Sequence, residues 1–145
     1  MKKTVSLFLI LFFLALSLCS CSFGGGSQQQ KATITTLKGN TVQMSAKELL
    51  AAYRENMASF DELYDGAKVS LVATVSSVKT NQRYQGISTS FDEIICKEGW
   101  EVQLPQGHQY SLTGLSKGTK IAVEGEIYYG GMYINVGVDS FRVLG

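Results

Sequence analysis

Histidine, proline and tryptophan occur once each in this 145-residue chain, and cysteine three times. The single histidine, His108, lies in a Gly-His-Gln stretch that reads as an exposed turn. It has no second histidine to complete a chelating pair. Neither a C-x-x-C nor an H-x-x-x-H spacing exists, so the patterns that hold zinc are missing. Cys19 and Cys21 fall in the N-terminal leader, which leaves Cys96 as an isolated thiol in a strand-like stretch, read as a small apolar core residue. No motif calls for a cofactor or a metal, and no nucleophile–base pair stands out. Arginine is scarce as well. Arg54, Arg83 and Arg142 are scattered, whereas phosphate chemistry needs cations that converge. An excess of one charge is also lacking: the formal charge is +1, and without Lys2 and Lys3 of the leader acidic residues outnumber basic ones by one. Such a domain has no long-range field to gather polyanions, which weighs against non-specific nucleic-acid binding.

What the chain does have begins with the leader. MKK is followed by an apolar run, Val5 to Leu18, shorter than the roughly 20 residues that span a bilayer. The run ends in LCSCS. Cys21 has Leu18 three positions before it and Ser20 directly before it, the arrangement of a bacterial lipoprotein signal. The cysteine is required because its thiol carries the diacylglycerol, and several acyl chains anchor stably where one is marginal. The expected organisation is a signal peptide over 1–20, an acylated Cys21 and flexible tether over 21–43, and a folded domain over 44–145. The expected location is the bacterial cell envelope, lipid-anchored on the extracytoplasmic side of a membrane. SFGGGSQQQK is a polar, Gly/Ser/Gln-rich tether. ATITTLKGNTVQ reads either as a short hairpin turning at Gly39-Asn40 or as extended leader.

Ser45-Ala-Lys-Glu48 is a capping box, with Met44 and Leu49 placed as its hydrophobic staple. Leu49, Leu50, Tyr53, Met57 and Phe60 recur at helical spacing and predict one buried face. Ser59 to Glu62 reads as a second box, so the helix is expected to break near Ala58. Asp65-Gly66 ends it. A strand follows over Lys68–Val78, in which Val69, Leu71, Ala73 and Val75 share a face and Val78 falls out of phase, the mark of a bulge. Further strands are expected at Phe91–Cys96, Trp100–Leu104 and Lys120–Tyr129. After Gly130-Gly131 the chain pairs back. The fold class is mainly β with one N-terminal helix. Five short strands bury their apolar faces most simply in a small closed barrel, with Gly125 and Gly137 where backbones approach closely.

The run Ser45-Ala46, Glu48-Leu49, Tyr53, Asn56, Asp61, Tyr64 and Gly66, before Val69-x-Leu71-x-Ala73-x-Val75, joins a later Leu115, Gly118, Ile121, Val123 and Gly125. On these residues the stretch from about Ser45 to Val143 resembles the tRNA_anti-like family of small bacterial proteins, many of them lipoproteins. Ala73 stands where that pattern has glycine and Phe60 where it has alanine. The resemblance implies a five-stranded OB-fold-like barrel preceded by a capped amphipathic helix. It brings no activity with it.

An OB-fold binds ligands on its second and third strands and adjoining loops, with aromatics for stacking and cations for phosphate. Under that expectation the binding face comprises Lys79, Arg83, Tyr84, Phe91, Trp100 and Tyr110, with Tyr128, Tyr129 and Tyr133 as a second aromatic patch. Asp92, Glu93, Glu98 and Glu101 form an acidic cluster that reads as a solvated edge, with weak cation binding as the alternative. Aromatics without a basic stripe suit a protein or a glycan better than nucleic acid. The function expected is therefore a membrane-anchored, non-catalytic binding module. The competing readings are a single-stranded nucleic-acid binder and an enzyme, whose sign would be perturbed carboxylates gathered in a cleft.

Overall fold

The computed structural model describes residues 30–82 and 91–145. The leader, Cys21, the tether up to residue 29, Arg83 and Tyr84 lie outside the described residues. Two strands open the described chain, β1 (Ala32–Thr35) and β2 (Thr41–Met44), paired as an antiparallel hairpin. The hairpin is thus the outcome of the two readings left open, and the sheet starts inside the stretch assigned to the tether. Its alternation carries Ala32 and Ile34 into the core, a pattern that four threonines over 33–41 make hard to see.

Two helices follow, α1 (Ala46–Glu55) and α2 (Met57–Leu63). The capping box forms as the sequence predicts. Ser45 Oγ accepts the Glu48 N–H at 3.2 Å, and Glu48 accepts the Ser45 N–H at 2.7 Å. The break differs from expectation. Asn56 ends α1 by donating its N–H to the Ala52 carbonyl, then starts α2 by accepting the Ser59 N–H on its side chain at 3.1 Å. The Ser59–Glu62 box therefore does not form, because Asn56, three residues earlier, already caps that amide. Gly66, with φ of +86°, turns the chain out of the helical region.

The remaining strands are β3 (Lys68–Gln82), β4 (Phe91–Cys96), β5 (Trp100–Pro105), β6 (Lys120–Tyr129) and β7 (Ile134–Leu144). They form a ring of hydrogen-bonded strands. β3 pairs with β4, β4 with β5, β5 with β7 in parallel, β7 with β6, and β6 returns to β3. β1 joins the first residues of β3, which brings the sheet to seven strands rather than five, and there are two helices rather than one. β3 serves three neighbours because it is long and bends. Register shifts between Val75 and Ser77 and between Lys79 and Gln82 mark the bulges that the phase of Val78 foretells.

The inward faces of the strands and the apolar stripe of the helices share one core, which includes Leu71, Ile94, Trp100, Val102, Ile121 and Ile127. Leu49 and Phe60 enter it from α1 and α2. Tyr53 of α1 stacks on Tyr129 at the end of β6, and Ala46 lies beside Gly99 before β5, so the helices cover one end of the ring. Gly125 and Gly137 mark a close approach of β6 and β7. A Cβ on Gly125 would fall 2.0 Å from the Gly137 carbonyl oxygen.

Candidate ligand-binding face

Strand alternation decides what faces away from the core. In β4, Ile94 and Cys96 point inward, which turns Glu93 outward. In β5, Trp100, Val102 and Leu104 point inward, which turns Glu101 and Gln103 outward. In β7, Ile134 and Val136 point inward, which turns Asn135 outward. Outward polar residues are normally solvated. Here Glu93 is 7% exposed, Glu101 6% and Asn135 6%. They lie on adjacent strands: Glu93 is opposite Gln103, and Glu101 is opposite Asn135.

The groups are tied together. Lys79 on β3 donates to Glu93 at 2.9 Å, and the Gln103 amide donates to Glu101 at 3.0 Å. Burial opposes ionisation of Glu93, but hydrogen bonds from Glu101 and Lys79 outweigh it and hold its carboxyl below the ordinary value. Bonding to Glu93 in turn raises Lys79, with smaller contributions from Glu101 and Tyr133. Asn135 Oδ1 is buried and has no hydrogen-bond partner. The Asn135 amide lies against the Cα of Gly130, where a Cβ would fall 2.2 Å from Oδ1. Next to it, the ring of Tyr128 lies across Gly137, and its hydroxyl donates to Glu126.

Of the residues the sequence assigned to a binding face, the structure brings few together. Trp100 is 1% exposed and belongs to the core, because Trp100, Val102 and Leu104 share the inward phase of β5. Its ring cannot meet a ligand. Lys79 lies on the outer face, paired with Glu93. Phe91, at the start of β4, lines a cavity of about 300 Å³ with Asp92, Pro105 and His108, away from Glu101. Tyr110 packs edge-on against Phe141 and donates to the Asp139 carbonyl. Tyr129 is occupied by Tyr53, and of the second aromatic patch Tyr128 stands opposite Asn135.

The acidic residues are not a solvated edge either. Glu93 and Glu101 are buried, Glu98 accepts the Thr74 N–H at 2.9 Å, and Asp92 holds His108. His108 is half-buried rather than exposed: its Nε2 lies 2.9 Å from Asp92 Oδ2 and its ring stacks on Tyr110. Burial opposes ionisation of Asp92, but the bonds from His108 and the Asn81 N–H prevail and lower its pKa. Cys96 is buried as expected, and burial pushes its thiol up to about 12, which makes it inert. Among the described residues no group of three or more His, Cys, Asp or Glu is placed to hold a metal ion. No helix among them is long and apolar enough to cross a membrane.

Gln103 and Asn135 were not among the expected face residues, and Glu101 was expected only as part of the acidic edge. The available signal was phase: each alternates with apolar residues that face the core, so each had to face out.

A five-strand ring in this order, with a polar outer surface on its second and third members, defines an OB-type protein. The chain belongs to the tRNA_anti-like family, an OB-fold family, whose model matches residues 1–137. No curated protein and no solved structure matches it significantly.

Proposed function

We propose that this chain is a non-catalytic binding module of the bacterial cell envelope, built as an OB-type barrel. In this reading a lipid on Cys21 holds it to a membrane. A protein or glycan ligand docks on the outer face of β4 and β5, bordered by the β6–β7 turn. The observation that carries the reading is the burial of Glu93, Glu101 and Asn135 on a surface that turns away from the core. A fold does not need buried polar groups there, and their desolvation works against stability. Polar groups held at such a cost on the outward side of the sheet fit a surface that borders a recognition site. Two carboxyl side chains, Glu93 and Glu101, against Lys79 make the face a poor match for a phosphate backbone.

Tyr128→Ala combined with Gln103→Ala tests the face. Both residues border it, and neither is in the core. The double variant should lose capture of the envelope ligand while its melting temperature changes little. Unchanged capture would sink the assignment. For the anchor, Cys21→Ala should move the protein from the membrane to the soluble fraction and abolish lipid labelling, and retention of both would refute it.

A further inference from the structure

We infer that the cavity at the end of the β4–β5 face, walled by Phe91, Asp92 and His108, seats one uncharged sugar ring of a glycan. This rests on the binding reading above and commits it to a glycan.

The cavity lies where β3 ends, β4 starts and β5 ends, at the opposite end of the ring from the helices. The ends of strand rings are recurrent small-molecule sites. Phe91 and Pro105 stand opposite each other and share the outward phase of Glu93 and Gln103, so the cavity continues the outer face. Its volume, about 300 Å³, is at the lower end for ligand pockets and suits a single small ring. Asp92 fixes its walls. One carboxylate oxygen accepts the Asn81 N–H at 2.9 Å, and the other lies 2.9 Å from His108 Nε2. Asn81 meets it with a left-handed backbone, at φ of +54°. The end of β3 and the turn after β5 are thereby tied to β4, and a preformed wall spares a ligand the cost of ordering it.

The lining selects the ligand class. Among the described residues that line the cavity none is lysine or arginine, so a phosphate or carboxylate meets no fixed counter-charge. Asp92 is the one carboxylate there, and both its oxygens are already bonded, which disfavours an ammonium. Phe91 and Pro105 contribute apolar surface, and the lining residues Asn81 and Gln106 carry carboxamides, which both donate and accept. A sugar ring is the complement: hydroxyls that donate and accept, and C–H faces that pack on an aromatic ring. His108 is a second, independent sign. Its side chain is 11% exposed, and its Nδ1 has no hydrogen-bond partner. With Nε2–H donating to Asp92, the neutral imidazole leaves Nδ1 as an acceptor. A buried acceptor left unpaired is costly, and a sugar hydroxyl is an uncharged donor that pairs it.

Saturation-transfer NMR on the full chain tests this, in a detergent whose headgroup carries no sugar. The probes are maltotriose, cellotriose and tri-N-acetylchitotriose, with trigalacturonate and triglucosamine as charged counterparts. At least one neutral trisaccharide should receive saturation, concentrated on the protons of one ring, and neither charged one should. Gln106→Ala changes an exposed position and should leave the melting temperature as it is. His108→Phe keeps a ring to stack on Tyr110 but has no nitrogen. Each should weaken the bound sugar about threefold to tenfold, the range for one hydrogen bond. Lys47→Ala, on the exposed side of α1, should change nothing. No saturation of any neutral trisaccharide, equal saturation of a charged one, or full binding by both Gln106→Ala and His108→Phe overturns the inference. If the neutral sugars fail while the Tyr128/Gln103 double variant still loses the envelope ligand, the sugar seat is rejected and the face stands. If a neutral sugar binds as expected while that double variant keeps its ligand, the seat stands and the wider face falls.

Discussion

Residue by residue, the sequence reveals phase more readily than it reveals exposure. Gly125 and Gly137 are legible as mid-strand glycines, and the structure gives the reason. A side chain on Gly125 would collide with the backbone of β7 rather than with a movable group. Gly125→Ala should therefore cost on the order of 3 kcal/mol, the upper range for overpacking, and lower the melting temperature by roughly 10 °C or more. A shift of only a degree or two would show that the two strands do not close there. Trp100 carries the opposite lesson. Its aromatic ring invites a stacking role, yet it shares the inward register of Val102 and Leu104 and is the largest side chain wholly inside the core. Chemistry at a position cannot be read before its register, because a slip of one residue exchanges core for surface. Glu93 and Glu101 look like solvated acids for the same reason: their burial depends on neighbours contributed by β3 and β7, far away in sequence.

At the scale of elements, the strands with punctuated ends are the ones whose limits are legible. β4 and β6 run over the residues expected, since the Lys97-Glu98-Gly99 turn ends β4 and glycine turns bound β6 on both sides. β3 extends past its expected end because the bulges let polar residues continue the ladder. The hairpin of β1 and β2 stayed ambiguous because a four-residue strand carries too few alternations to register. The α1 cap was legible and makes a pH prediction. The Ser45 amide, then the Lys31 ammonium, hold the Glu48 carboxyl down to about 2 from an ordinary 4.5. Because the folded value is the lower one, its stabilising effect is present above the ordinary value and fades as the pH falls towards about 2. The melting temperature of the wild type should exceed that of Glu48→Gln at neutral pH, with the gap closing as the solution is acidified. A gap that holds constant down to pH 2 would contradict the cap. Ser45→Ala should lose about 1 kcal/mol at neutral pH.

For the whole molecule, ring closure links distant parts of the chain to one surface. β3 supplies Lys79, β4 and β5 supply the carboxyl pair, and β7 supplies Asn135. The helices lie at one end of the ring, where their apolar stripe is used up in packing. The family and its OB class were legible from spaced residues that build the fold. The ligand was not, since it depends on which outward groups closure brings together. One measurement tests that face directly. A photo-reactive phenylalanine analogue is placed at Gln103, on the face, and separately at Lys47, on the exposed side of α1, in cells that make the full chain. Irradiation should give a discrete crosslinked species from position 103 and none from position 47. Adducts from position 47 alone, or equal yields from both, would contradict a binding face on β4 and β5.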